Sequence, residues 1–246
     1  MENQVMTSAR VERIVDYRDG TQQLSGHFVP AGGGRGPGVL IVHAWLGITD
    51  SIKDRARRLA AAGYSAFAAD VFGAPVIDLD AGPLPVVGPF RADRRYLRRR
   101  IRAGLEALQA QQECDPDRVV AIGYCFGGNA VLEIARDGAP VRGVVSFHGE
   151  LDTPLPARPG DIRGKVLVLT GDDDPVVPFD SVASFRDEMR AAHADYEIGI
   201  YSGARHSFTG EGSLGAARTP EAVLNPQADT RSWDRMMAFF AEVFTG

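Results

Sequence analysis

The chain has 246 residues, 44% of them hydrophobic and 24% charged, with a net charge of −5. This fits one globular α/β domain over residues 1–246, with enough chain to bury a sizeable core, and it argues against a general nucleic-acid binder. No apolar run approaches the roughly 18 residues that span a bilayer, the first eight residues lack the basic and apolar regions of a signal peptide, and the two cysteines make neither a disulfide framework nor a metal pattern. The expected compartment is a reducing cytoplasm, with no membrane partner.

In chain order, residues 11–17 and 22–29 read as short strands around an Asp19-Gly20 turn. The glycine-rich run at 31–38 lacks the Gly-Lys-Ser/Thr ending of a phosphate cradle and leads into a strand, so it reads as a connection. Strands and helices then alternate. Strands are expected at 39–43, 65–71, 118–123, 141–147, 166–170 and 196–201. Helices are expected at 51–62, 91–112, after residue 128, at 181–192 and at 230–244. Short apolar runs alternating with longer periodic segments predict a mostly parallel sheet with helices on both faces, whose functional loops leave the carboxyl ends of the strands. The connection at 72–89, rich in Pro and Gly, is expected to form a wall of the site. Seven arginines crowd residues 91–102. With Asp93 and Glu106 on the same expected helix and no nucleic-acid motif, they read as a solvated face or one paired with acids elsewhere.

The segment Gly123-Tyr124-Cys125-Phe126-Gly127-Gly128 lies between a strand and a helix. That is the context of a nucleophile elbow, in which a strained turn lifts its central side chain above the sheet. A buried structural cysteine is the plain alternative. Two later features bear on the choice. The strand at 166–170 runs into Asp172-Asp173-Asp174, and the strand at 196–201 runs into a loop carrying His206. Both strand ends face the edge that holds the elbow. Nucleophile, acid and histidine in that order is the α/β-hydrolase order. Of the other histidines, His43 and His148 sit at carboxyl ends of strands, where they can line a pocket. The aspartates lack the alternating spacing of a cation loop, so no metal and no cofactor are expected.

With Gly-Tyr-Cys-Phe-Gly-Gly at 123–128, Asp-Pro-Val-Val-Pro at 174–178 and His-Ser-Phe at 206–208, the chain resembles the dienelactone hydrolase family of α/β-hydrolases. The resemblance implies Cys125 as nucleophile, His206 as base and Asp174 as the acid that orients it. It also implies an oxyanion hole of the Trp45 and Phe126 backbone N–H groups. The namesake enzymes carry a glutamate just before the first of these donors, where this chain has Ala44. They hold the dienelactone carboxylate with arginines, which the matching stretches at 71–75 and 209–211 lack. The resemblance therefore implies another substrate, a small neutral ester or lactone, in a pocket walled by His43, Ala44, Phe72 and Phe208 beside Trp45.

The same residues allow attack on an aryl phosphotriester. Rival expectations are a non-catalytic binding protein of the same fold and a redox pair of Cys125 with Cys114, which should lie at the far end of the elbow strand. A monomer or homodimer is expected.

Overall fold

The computed structural model describes residues 11–73, 77–212 and 223–245. Residues 74–76 of the Pro- and Gly-rich connection and the N-terminal eight fall outside them. The strands are β1 (Arg13–Asp19), β2 (Gln22–Val29), β3 (Gly36–Val42), β4 (Ser65–Ala69), β5 (Cys114–Tyr124), β6 (Gly143–Phe147), β7 (Lys165–Gly171) and β8 (Tyr196–Tyr201). The helices are α1 (Asp50–Ala61), α2 (Leu84–Ala92), α3 (Arg94–Gln109), α4 (Phe126–Arg136), α5 (Phe179–Ala191) and α6 (Pro226–Thr245). They build an α/β-hydrolase fold around one eight-stranded sheet, ordered β1-β2-β4-β3-β5-β6-β7-β8. The β1–β2 and β2–β4 pairs are antiparallel and all others parallel.

The central strands are apolar throughout because both faces are covered. Leu40 and Val42 of β3 pack into the layer formed with α3, α4 and α5, while Val39 and Ile41 pack against α1 and α6. The sharpest departure from the expected elements is the helix at 91–112. It is two helices, because Asp93 leaves the helical conformation (φ −129°, ψ 97°) and its side chain accepts from the Tyr96 N–H, capping α3. The first of the two, α2, begins inside the connection expected to be a loop.

The arginines of this region mostly pair with acids. Arg99 and Arg100 bind Asp19, Arg98 binds Glu133, and Arg102 binds Asp137. Arg100 and Asp19 are both buried, so this pair also fastens α3 to the end of β1. Among the described residues, no helix is long and apolar enough to cross a membrane.

Candidate active site

The site begins at the end of β5. Cys125 takes φ 52°, ψ −115°, a conformation that L-residues rarely adopt, and α4 starts at the next residue. The glycines around it are sterically required. A Cβ on Gly123 would lie 2.0 Å from Gly127 O, and one on Gly127 would lie 2.1 Å from Val42 O. The strain persists because hydrogen bonds fix the backbone on both sides. Cys125 N donates to Phe147 O at 2.9 Å and to His148 Nδ1 at 3.2 Å, and Asn129 N donates to Cys125 O.

The Cys125 thiol is partly exposed, and its Sγ lies 3.1 Å from His206 Nε2. His206 Nδ1 lies 3.0 Å from Asp174 Oδ2. The other carboxylate oxygen of Asp174 accepts from Val176 N and Val177 N, so the buried acid is held at both oxygens. Asp172 and Asp173 are exposed and turn away, which separates the three adjacent acids into one that reaches the histidine and two that do not. Burial opposes a charge on the His206 ring. The neighbouring Cys125 and then Asp174 outweigh it and push the ring's pKa up to about 10. Such an arrangement can hold a thiolate beside an imidazolium and pass a proton between sulfur and a leaving group.

The two residues expected to supply backbone donors, Trp45 and Phe126, line the same cavity as the thiol. Phe126 N–H is the first of α4, where no residue one turn back can accept it. Trp45 lies on the loop after β3, which the close approach of Gly127 to Val42 and His43 brings against the start of α4. Trp45, Cys125, Phe126 and His206 all line one cavity of about 350 Å³.

The rest of that cavity differs from the expected wall. It is formed by Pro83, Val87 and Arg91 of α2 and its approach, with Glu150, Val176 and Gly212. The connection after β4 thus does supply a wall, through its helical half. None of His43, Ala44, Phe72 and Phe208 lines the cavity. His43 is buried behind it, its Nδ1 donating to Ala44 O while Nε2 accepts from Val71 N, and burial keeps it neutral. Ala44 is buried against the backbone of Gly212. Phe72 packs on His43, Phe90 and Phe126, and Phe208 is fully buried against His148. Phe72 packs on the α3/α4 layer, whereas Ala44 and Phe208 belong to the core on the opposite face of the sheet.

Arg91 and Glu150 form an ion pair on the cavity wall. No local motif marks them, although Glu150 stands just after the carboxyl end of β6, where pocket residues of parallel sheets gather.

The histidine loop is clamped from behind. Glu211 is buried and accepts from Arg55 of α1 at 2.8 Å, while the same guanidinium reaches Thr209 O and Asp229 of α6. Trp45 Nε1 donates to Gly212 O at 2.9 Å, tying this loop to the one after β3. Among the described residues, no group of three or more His, Cys, Asp or Glu is placed to hold a metal ion.

Residues 26–244 match the model of the dienelactone hydrolase family. A crystal structure of P91, a dienelactone hydrolase-like promiscuous phosphotriesterase from metagenomic libraries, is 38% identical, covers 95% of this chain and 98% of its own, and superposes with a TM-score of 0.87. A Bradyrhizobium protein named "Probable 2-oxo-3-(5-oxofuran-2-ylidene)propanoate lactonase" is 31% identical over 71% of this chain and 74% of its own. An acylaminoacyl peptidase of Pyrococcus horikoshii, 14% identical with a TM-score of 0.69 over 94% of this chain and 41% of its own, shares the fold alone. The chain belongs to the dienelactone hydrolase family and is a hydrolase acting on ester or lactone bonds.

Proposed function

We propose that the chain hydrolyses small, neutral, activated esters or lactones through a covalent thioester on Cys125. The observation that carries this reading is the continuous line from Cys125 Sγ to His206 Nε2 (3.1 Å) and from His206 Nδ1 to the buried Asp174 (3.0 Å), opening into the 350 Å³ cavity. A cavity of that size is at the small end of ligand sites. Its charged wall residues, Arg91 and Glu150, compensate each other.

In the proposed cycle, the Cys125 thiolate attacks the carbonyl carbon and the C=O electron pair moves onto oxygen. The N–H groups of Trp45 and Phe126 stabilise that oxyanion. Collapse breaks the bond to the leaving oxygen, which takes the proton from His206 Nε2, leaving a thioester. The sulfur is then uncharged and the ring has given up its proton; without the thiolate, only Asp174 still favours a charged ring and burial opposes it. The ring thereby becomes a base for the second half. It takes a proton from water as the hydroxide attacks the thioester, and collapse expels the Cys125 thiolate and releases the acid. One histidine thus acts as acid and then as base because the charge beside it appears and disappears.

A second reading, favoured by the 38% identical promiscuous phosphotriesterase, is attack of the same thiolate on the phosphorus of an aryl phosphotriester with departure of the aryloxide. A panel of p-nitrophenyl esters, lactones and aryl phosphotriesters, with Cys125→Ala as control, tests both. Ester turnover that vanishes in the variant supports the first reading. Turnover confined to phosphotriesters supports the second, and turnover unchanged in the variant overturns both.

A further inference from the structure

We infer that His148 is a positioning residue that sets the distance between the nucleophile and the histidine, an inference that rests on the Cys125 reading above. His148 follows β6 and is fully buried. Its ring is bonded at both nitrogens to the two segments that must meet. Nδ1 accepts from Cys125 N–H at 3.2 Å, so the ring proton is on Nε2, which donates to Thr209 Oγ1 at 2.8 Å. Cys125 is the elbow, and Thr209 is on the loop of His206. The ring also stands edge-on to His206, with centroids 5.4 Å apart.

Two further observations make this a rigid link. His148 has φ 42°, Cys125 φ 52° and Ser207 φ 56°, so three residues with unfavourable backbones surround the site. Such strain survives only where neighbouring contacts fix it. The segment also has no slack, since a Cβ on the following Gly149 would lie 2.5 Å from the Gly128 backbone.

The groups facing the ring are the Cys125 N–H, the Thr209 hydroxyl, and the rings of Tyr124, His206 and Phe208, with the Arg55 charge nearby. Burial, His206 and Arg55 keep the imidazole neutral. A proton on Nδ1 would confront the Cys125 N–H and leave it Phe147 O alone as acceptor, breaking the link from the ring to the elbow. The ring is therefore a bridge and takes no part in proton transfer.

The test uses Thr209→Val, which keeps shape but removes the acceptor of Nε2–H, together with His148→Phe and His148→Asn. Asparagine tolerates a positive φ and keeps an acceptor near the position of Nδ1. Measured quantities are the p-nitrophenyl acetate acylation burst, the iodoacetamide alkylation rate of Cys125 across pH, KM, and the melting temperature. We expect Thr209→Val to slow acylation about tenfold with KM little changed, His148→Phe to slow it further, and His148→Asn to recover part of the loss, as sub-ångström displacement of a reacting pair predicts. Wild-type acylation and alkylation rates in Thr209→Val overturn the inference, and that variant decides alone if His148→Phe does not fold. A wild-type protein without a burst, equalled in turnover by Cys125→Ala, instead overturns the Cys125 reading.

Discussion

The two cysteines stand at opposite ends of one strand. Cys114 begins β5 and Cys125 follows its last residue. Cys114 is 1% exposed, packed so closely on β3 that a Cβ at Gly38 would come within 2.6 Å of its sulfur, and burial with Asp115 pushes its thiol up to about 12. Cys125 opens into a cavity beside a histidine and the N-terminus of a helix. The side chains are identical, and the difference is the edge of the sheet. A parallel sheet gathers its helix N-termini and loops at the carboxyl edge, so charge and access accumulate there. From Cys114 to Gly123, β5 runs alongside Gly36–Val42 of β3, a span of about 20 Å at the usual strand rise, which excludes a disulfide between the two cysteines within one chain.

The comparison can be broken most directly at the reactive end. Cys125→Ala should lower p-nitrophenyl acetate hydrolysis to near background, since loss of a triad nucleophile costs about as much as loss of the whole triad. Cys125→Ser should retain some of it, measured as steady-state turnover.

A pH series should sharpen it next. Because His206 holds its proton up to about 10 in the resting site, acylation by an alkyl ester, whose leaving group needs that proton, should fall as pH rises through about 10. Acylation by a p-nitrophenyl ester should not, because its leaving group departs unprotonated. Single-turnover rates of the two ester types between pH 7 and 11 give the comparison, and a parallel decline in both would remove His206 as the acid.

A smaller effect is expected at the wall. Glu150→Gln unpairs Arg91 and should raise kcat/KM for an ester bearing a carboxylate, relative to its neutral analogue, by about three- to tenfold, the range of a partly exposed charge contact. The smallest belongs to the inert end. Cys114→Ala should leave kcat and KM unchanged and lower the melting temperature by a few degrees, as a cavity costing about 1 kcal/mol does in a domain of this size.

The elbow, the acid and the histidine were legible because each follows a strand and their chain order is distinctive. Strands β2 and β8 were legible to the residue, being short runs bounded by turns. The cavity wall was not. Pro83, Val87 and Arg91 of α2 and its approach meet Glu150, Val176 and Gly212 from three separate loops, and that meeting depends on tertiary packing. The break at Asp93 was also hidden, since seven arginines suggested one continuous polar face and an aspartate that caps a helix can equally sit inside one. His148 was recognised as lying at a strand end, but its two hydrogen bonds depend on a positive φ that no local pattern announces.

The clamp on the histidine loop has a consequence for heat tolerance. Arg55 and Glu211 are buried together, and losing one partner of such a pair costs about 3–5 kcal/mol. Since α1 and α6 lie on the far side of the sheet from α3 and α4, the alignment of His206 depends on a layer that never meets the substrate. Warming that loosens this layer would release the loop while the sheet stays folded. The enzyme should then pass through a folded but idle population, and its activity should fade before its secondary structure melts.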